Sequence, residues 1–489
     1  MIDRIRKRYR NMDLALKASV WFVFCGVLKD AVDVLVTPIF TRILTTEQYG
    51  VFNVYNSWFQ IVKILFTLYL FSDVFNVGLV KFSEDRDRFI SATLGFITAS
   101  VGAYFVLYLV FRTRLESIIG LPGFLILLLF AHVLVYVPYY CWIRRERFDY
   151  HYKSVVIVSL LYIVLQPFCG IIAILCLDIP LNPGYTRILA AVGIQILIGI
   201  VLYAGMMARG KVFYSGKYWR YSLKTGIVLV PYNLSKVVLN QCDRIMINHY
   251  SGAGDTGIYS VAHSAAFVLL AVTEALDGAF VPWLYRKLKT RECTGVRRMI
   301  NLLIVLVAIC VLAINLIAPE LMKLLARKEY YEGVYCIPAL VYSVYLIFVY
   351  TIFSNIELFF GKNSYVTAAS TVGMVVNIVL NALFIPRYGF VAASYTTMAG
   401  FFTICIGHFL LLRKSLAEEN MKMSDLIDIR AMLAVSGIML ALSLLCLPLY
   451  RWGAIRWSLI ALLCMCVFFS RDRWLGLITK LKGEEKEDG

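Results

Sequence analysis

Charge is what this sequence has least of. Asp, Glu, Lys and Arg together make up 16% of its 489 residues, while apolar residues reach 60%. A water-exposed fold needs about a quarter of its residues charged, so an ordinary soluble domain is excluded. Negative charge is scarcer still, with 31 acidic against 48 basic residues and a net charge of +17. In a soluble protein that excess would suggest nucleic acid. Here the basic residues lie in short loops between apolar runs, so anionic lipid headgroups are the expected counterions and no nucleic-acid partner is expected.

Other absences narrow the chemistry. No Gly-Lys-Ser/Thr loop is present, which removes nucleotide hydrolysis by the usual route. The five histidines and twelve cysteines show no metal-ligand spacing; Cys25, Cys169, Cys310 and Cys464 sit inside apolar runs as packing residues, and neither metal nor cofactor is expected. His132, His263 and His408 are read as interhelical hydrogen-bonders. No Ala-x-Ala-type cleavage site follows the basic segment 1–17, which is read as a retained cytoplasmic leader. No loop is long enough to hold a soluble catalytic domain, and the large external loop of membrane glycosyl polymerases is missing. A transporter is therefore expected, not an enzyme.

What fills the chain is about fourteen apolar stretches, each long enough at 1.5 Å per residue to cross most or all of the hydrocarbon. They are placed at 18–40, 51–72, 89–111, 121–143, 154–177, 187–208, 223–247, 258–283, 299–319, 334–360, 364–385, 390–412, 431–449 and 455–470. Hydrocarbon demands internal satisfaction of every backbone group, and the runs do not alternate as barrel strands do, so the spans are helices. The fold class is all-α, a polytopic membrane protein. With the N-terminus inside, about 34 Lys and Arg fall in cytoplasmic loops and about 10 outside. Both termini are then cytoplasmic, and twelve spans with the last pair misread would preserve the bias.

A repeat of about 200 residues divides the spans. "TPIFTRILTTEQYGVFNVYNSW" from Thr37 and "NQCDRIMINHYSGAGDTGIYSVAHS" from Asn240 both read Arg-Ile, a short polar loop, then Gly followed by an aromatic residue. "FDYHYKSVVIVSLLYIVLQPF" from Phe148 and "GKNSYVTAASTVGMVVNIVLNALFIPRYG" from Gly361 occupy the fifth span of each half. The expected organisation is a leader at 1–17, an N-lobe of six helices at 18–210, a C-lobe of six at 211–415 with parallel topology, two additional helices at 416–470 and a charged cytoplasmic tail at 471–489. Parallel repeats of this kind place a substrate path between lobes.

Charges inside hydrocarbon are costly and face a cavity or a partner. In the seventh span Asn233, Lys236, Asn240 and Arg244 recur every three or four residues on one helix face, flanked by Gln241 and Asp243. Two readings stand: a cationic cavity wall, or an interfacial cap by Asp243 and Arg244 with Lys236 snorkelling. The first span carries Lys29, Asp30 and Asp33 and ends in Arg42, and the second carries Lys63. Lys29, Arg42, Lys63, Lys236 and Arg244 form a candidate anion site, although Lys29 and Asp33 can also neutralise each other at i, i+4. Candidate ion-coupling carboxylates are Asp30, Asp33, Glu274, Asp277 and Glu357. Asn377 and Asn381 lie one turn apart in the eleventh span, and Pro231, Pro338 and Pro386 are positioned to kink or end helices.

"TPIFTRILTTEQYGVF", "VPYNLSKVVLNQCDRIMINHYSGAGDTGIYSVA" and "NIVLNALFIPRYGFVAASYTT" resemble the O-antigen and capsular polysaccharide flippase branch of the multidrug, oligosaccharidyl-lipid and polysaccharide exporter superfamily. The resemblance implies two lobes in the bacterial inner membrane that alternate access. It implies an undecaprenyl-pyrophosphate-linked oligosaccharide carried to the external leaflet for surface polysaccharide biosynthesis, with cavity cations on the pyrophosphate, H⁺ or Na⁺ coupling and other polysaccharide-assembly proteins as partners. A cation-coupled multidrug exporter and a peptidoglycan-precursor flippase are the alternatives of the same fold.

Overall fold

The computed structural model describes residues 12–177 and 180–469. Most of the basic leader, the charged tail at 471–489 and the Asp30 side chain lie outside the described residues. Everything regular among them is helical: α1 (Leu14–Ile43), α2 (Thr46–Thr67), α3 (Asp73–Lys81), α4 (Arg86–Val110), α5 (Arg112–Ile119), α6 (Gly123–Phe148), α7 (Tyr152–Cys176), α8 (Pro183–Gly210), α9 (Gly216–Ser251), α10 (Ala253–Thr290), α11 (Val296–Leu325), a 3₁₀ turn (Lys328–Cys336), α12 (Ile337–Phe359), α13 (Asn363–Glu418), α14 (Met423–Leu426), α15 (Ile429–Leu449) and α16 (Gly453–Phe469). The chain is an all-α, multi-pass membrane protein.

The ends of these helices follow from local chemistry. Thr45 opens α2 with a capping box: its hydroxyl accepts from the Gln48 N–H while the Gln48 side chain accepts from the Thr45 N–H. Only Leu44 and Thr45 separate α1 from α2. Asn182 caps α8, with Pro183 at the first helical position. Gly184 then lets α8 approach α2, because a Cβ there would stand 2.5 Å from the Gln48 carbonyl oxygen. The expected break between the eleventh and twelfth spans falls inside α13 at Gly389, whose φ of 67° is non-helical, three residues after Pro386. Split there, the long helices number about fourteen. The second expected span, 51–72, is shifted: its helix starts at Thr46 and stops at Thr67, and the chain turns through left-handed Leu68 and Tyr69 into the separate α3.

Nine helices among the described residues are long and apolar enough to cross a membrane. The long helices outside that set are α1, α2 and α9, and these carry Lys29, Lys63 and Lys236 respectively.

The chain forms two compact units that divide within α9, the first ending at Gln241 and the second starting at Cys242. In the first, α8 packs against α2, α4, α6 and α7, around a core that includes Phe59, Phe75, Phe89, Leu125 and Val133. In the second, α12 packs against α10, α11, α13 and α15. The last two helices are tied down by polar contacts: Arg456 of α16 forms a double ion pair with Glu320 of α11, and Asn315 of α11 donates to Ser443 of α15 at 3.0 Å.

Candidate functional site

In the first unit, Lys29 meets Asp33 at 3.2 Å with both side chains more than half exposed, so the neutralising pair open from the spacing does form. Arg42 is exposed and reaches back to the Pro38 carbonyl oxygen at 3.4 Å. Lys63 is half-buried, its ammonium 3.4 Å from the Tyr136 hydroxyl and over the rings of Tyr136 and Phe59 at 5.0 and 5.6 Å. Quadrupoles of aromatic faces stabilise a cation without neutralising it. The positive charge of Lys29 also acts on Lys63, so α1 and α2 bring two lysines into one field. On α9, Asn233 and Asn240 turn their amide N–H groups to the Leu229 and Lys236 carbonyls at 3.0 and 2.8 Å. Lys236 is exposed and without a partner among the described residues.

Behind Lys63 lies a buried polar chain that sequence reasoning reached only as a lone histidine. His132 stacks on Phe59 with centroids 3.6 Å apart, and its ring nitrogens lie 3.1 Å from the Tyr55 hydroxyl and 2.7 Å from the Gln195 Oε1 atom. The Tyr162 hydroxyl donates to the same Gln195 oxygen at 3.2 Å. Arg187 of α8 was also missed: its guanidinium lies 3.5 Å from the ring centroids of both Phe40 and Phe52. Two aromatic residues flanking the Arg42–Thr45 turn were the only available signal.

In the second unit the interfacial-cap reading of Asp243 and Arg244 is corrected. Asp243 is 1% exposed and accepts from the Tyr259 hydroxyl at 2.6 Å, the Thr397 hydroxyl at 2.5 Å and the Asn381 amide at 2.7 Å. The Asn381 carbonyl oxygen in turn accepts from Thr396, and Asn377 Oδ1 from Cys242 and Asn381. Carboxylate, amide and hydroxyl oxygens from α9, α10 and α13 therefore converge in a dry interior. Such hard oxygen donors suit a proton or a small hard cation. Arg244 is buried beside them, its charge acting on Asp243 and His263. It is thus not presented to a large headgroup as the anion-site expectation required. Asn377 and Asn381, noted from their spacing, belong here.

The coupling carboxylates scatter. Glu274 is exposed on α10. Asp277, one turn on, accepts from Asn355 of α12 at 2.8 Å. Glu357 is fully buried and meets His408 of α13 at 2.7 Å. Of the three histidines, His132 and His408 bond between helices as expected, whereas His263 stacks on Phe267 of its own helix at 3.8 Å.

The comparisons agree with this architecture. The family model for a polysaccharide biosynthesis protein matches residues 15–287, more than half of the chain. An uncharacterized membrane protein of Haemophilus influenzae is 26% identical over 198 residues, covering 39% of this chain and 48% of that protein. The chain spans less than half the length of the relatives it matches by sequence. Among solved structures, the lipid II flippase MurJ in an inward closed conformation has a TM-score of 0.63 at 14% identity, covering 94% of this chain and 99% of MurJ. An inward-facing multidrug resistance transporter of the MATE family gives 0.60 at 11% identity, covering 80% and 95%. At such identities the likeness is one of fold. The chain has that fold and belongs to the polysaccharide biosynthesis protein family.

Proposed function

We propose that this protein is a flippase that carries an undecaprenyl-pyrophosphate-linked oligosaccharide from the cytoplasmic to the external leaflet by alternating access. The observation that carries the reading is the distribution of membrane-embedded cations. α1, α2 and α9 are the long helices left outside the set of nine apolar, charge-poor spans, and each holds a lysine in the first unit. Lys63 is held by π-faces and Lys236 has no partner among the described residues, so their positive charge is not cancelled locally. A pyrophosphate supplies the missing counter-charge through charge-assisted hydrogen bonds. A drug exporter for cationic substrates would place like charge against its cargo.

The Lys29–Asp33 pair is the part of the site that opens and closes: an incoming phosphate competes with Asp33 for the ammonium. Asp243, with its amide and hydroxyl neighbours, is the best seat for a coupling cation in the second unit, since its charge state depends on what those oxygens surround. Polysaccharide-assembly proteins are the expected partners, and the bacterial inner membrane with both termini cytoplasmic the expected location.

Full-length protein in liposomes containing the lipid-linked glycan tests the proposal. Wild type is expected to expose the glycan to an external glycosidase, while K236A and K63M, inserted at equal abundance, lower the rate at least tenfold. Equal rates for both variants would return these lysines to interfacial snorkelling and remove the anion site.

A further inference from the structure

The Glu357–His408 pair differs from the other ion pairs described among residues 12–177 and 180–469. Both side chains are fully buried, and Glu357 Oε2 lies 2.7 Å from His408 Nδ1. Every other ion pair among the described residues has at least one partly exposed member. The remote atoms of the pair, Glu357 Oε1 and His408 Nε2, are buried and have no hydrogen-bond partner, and neither does the Ser415 hydroxyl two turns along α13 from His408. Buried polar atoms of this kind are normally satisfied. A pair built only to hold α12 against α13 would have its outer atoms bonded.

The surroundings isolate the pair electrostatically. On α12 the Tyr350 ring stacks on His408 with centroids 5.6 Å apart, and α13 adds Cys405, which bonds to the Leu346 carbonyl. Asp277 of α10 is engaged by Asn355. Glu320 of α11 pairs with Arg456, and Ser436 of α15 lies 3.0 Å from the Tyr345 hydroxyl. The basic groups at the nearest helix ends are committed elsewhere: Lys362 to Glu418, Lys287 to Glu292 and Arg297 to Asp428, while Arg413 and Lys414 are exposed. Among the described residues, His408 is the charged partner that acts on Glu357.

We propose that Glu357 and His408 form a proton-binding site that takes up and releases one proton in each transport cycle. With the hydrogen on His408 Nδ1 facing Glu357 Oε2 and Nε2 bare, the pair is a carboxylate beside a neutral imidazole and carries a net charge of −1. A second proton enters at His408 Nε2, whose lone pair is open when Nδ1 carries the hydrogen, and leaves by the same atom. A nitrogen–oxygen pair has little affinity for an alkali cation, so this site is specific for H⁺, in contrast to the oxygen-rich cluster around Asp243. Uptake makes the pair neutral overall, the state a buried interior favours, so release favours a conformation in which α12 and α13 admit water to the pair. Glu357 lies two residues from the end of α12 and His408 in the last three turns of α13. By the loop charges, this is the cytoplasmic end.

The coupling role rests on the transporter reading above; the proton site itself does not, and two measurements on the full chain in proteoliposomes separate them. The first is infrared difference spectroscopy between pH 8 and pH 5 without substrate. Wild type is expected to show a histidine protonation signal that H408Q removes, and E357Q is expected to move its midpoint. The double variant E357Q/H408Q, which keeps a neutral hydrogen-bonded pair, covers the case in which either single variant misfolds. A wild-type spectrum unchanged in all variants overturns the site. The second is glycan flipping with and without an imposed pH difference. Wild type is expected to be accelerated and the variants to lose that response while keeping exchange without a gradient. Variants that still respond overturn coupling, while a spectral signal in a wild type that flips nothing leaves the proton site standing and removes the flippase reading.

Discussion

The buried polar centres of the two units use opposite chemistry for the same problem. In the first unit, a lysine and a histidine are held by aromatic faces: Lys63 by Phe59 and Tyr136, and His132 by Phe59, with Gln195 2.7 Å from the histidine ring. In the second, a carboxylate is held by neutral donors, Asp243 by Tyr259, Asn381 and Thr397. An aromatic cage stabilises positive charge yet leaves it available to an anion, because ring quadrupoles do not neutralise it. A carboxylate whose lone pairs are all occupied is committed until something displaces its donors. Under the proposed function, substrate charge falls to the first unit and ion or proton exchange to the second.

The largest effect expected from breaking this contrast is Asp243→Ala. Three donors lose their acceptor in a dry interior, each orphaned group costing about 1–3 kcal/mol, so the variant should unfold at much lower temperature or fail to accumulate. Asp243→Asn keeps the shape and should cost less. The difference in melting temperature between the two, in the same detergent, measures how much of the second unit's stability the carboxylate carries; a variant D243A as stable as wild type would dissolve the contrast.

Lys63→Met is the opposite case. The substitution nearly conserves volume, so stability is expected to change by less than about 1.5 kcal/mol, with either sign, since removing a half-buried charge also removes its desolvation cost. Flipping is the readout that should fall. If K63M lost stability as D243A does, the lysine would be structural and the two units would differ only in composition.

Much of this was visible in the sequence. The spans and loop charges gave the membrane fold, and Arg42-Ile43 marked the junction of α1 and α2, whereas Arg244-Ile245 lies inside α9, which runs on to Ser251. The charged breaks in apolar runs pointed to Lys29, Lys63 and Lys236. What was hidden was pairing. Asp243 next to Arg244 at the end of an apolar run looks like a cap, and only the fold brings Asn377, Asn381, Thr396 and Thr397 against it from more than 130 residues away. Arg187 was invisible for the same reason: a cation is read as interfacial until Phe40 and Phe52 are seen on either side of it. Spacing reveals what shares a helix face, and the partners here sit on other helices.

The smallest expected effect lies outside both centres and serves as their reference. Arg297, at the start of α11, bonds Asp428, the residue that caps α15 and accepts from the Ala431 N–H at 3.2 Å. The guanidinium hydrogen bond, with the backbone N–H groups adding to it, holds the Asp428 carboxyl below the ordinary aspartate range. A depressed carboxyl stabilises the fold above the unfolded value, about 4, and loses that contribution as pH falls through the folded one. Asp428→Asn keeps an N-capping side chain and deletes only the charge. The melting-temperature difference between wild type and D428N should therefore be flat from pH 8 to pH 5 and shrink below about pH 4. The same subtraction for H408Q tests the proposed proton exchange, a slope between pH 8 and pH 5 being the result that supports it. Two flat lines would mean that the buried pair, like the exposed one, never changes its proton count in that range, and the second unit would then exchange ions at Asp243 alone.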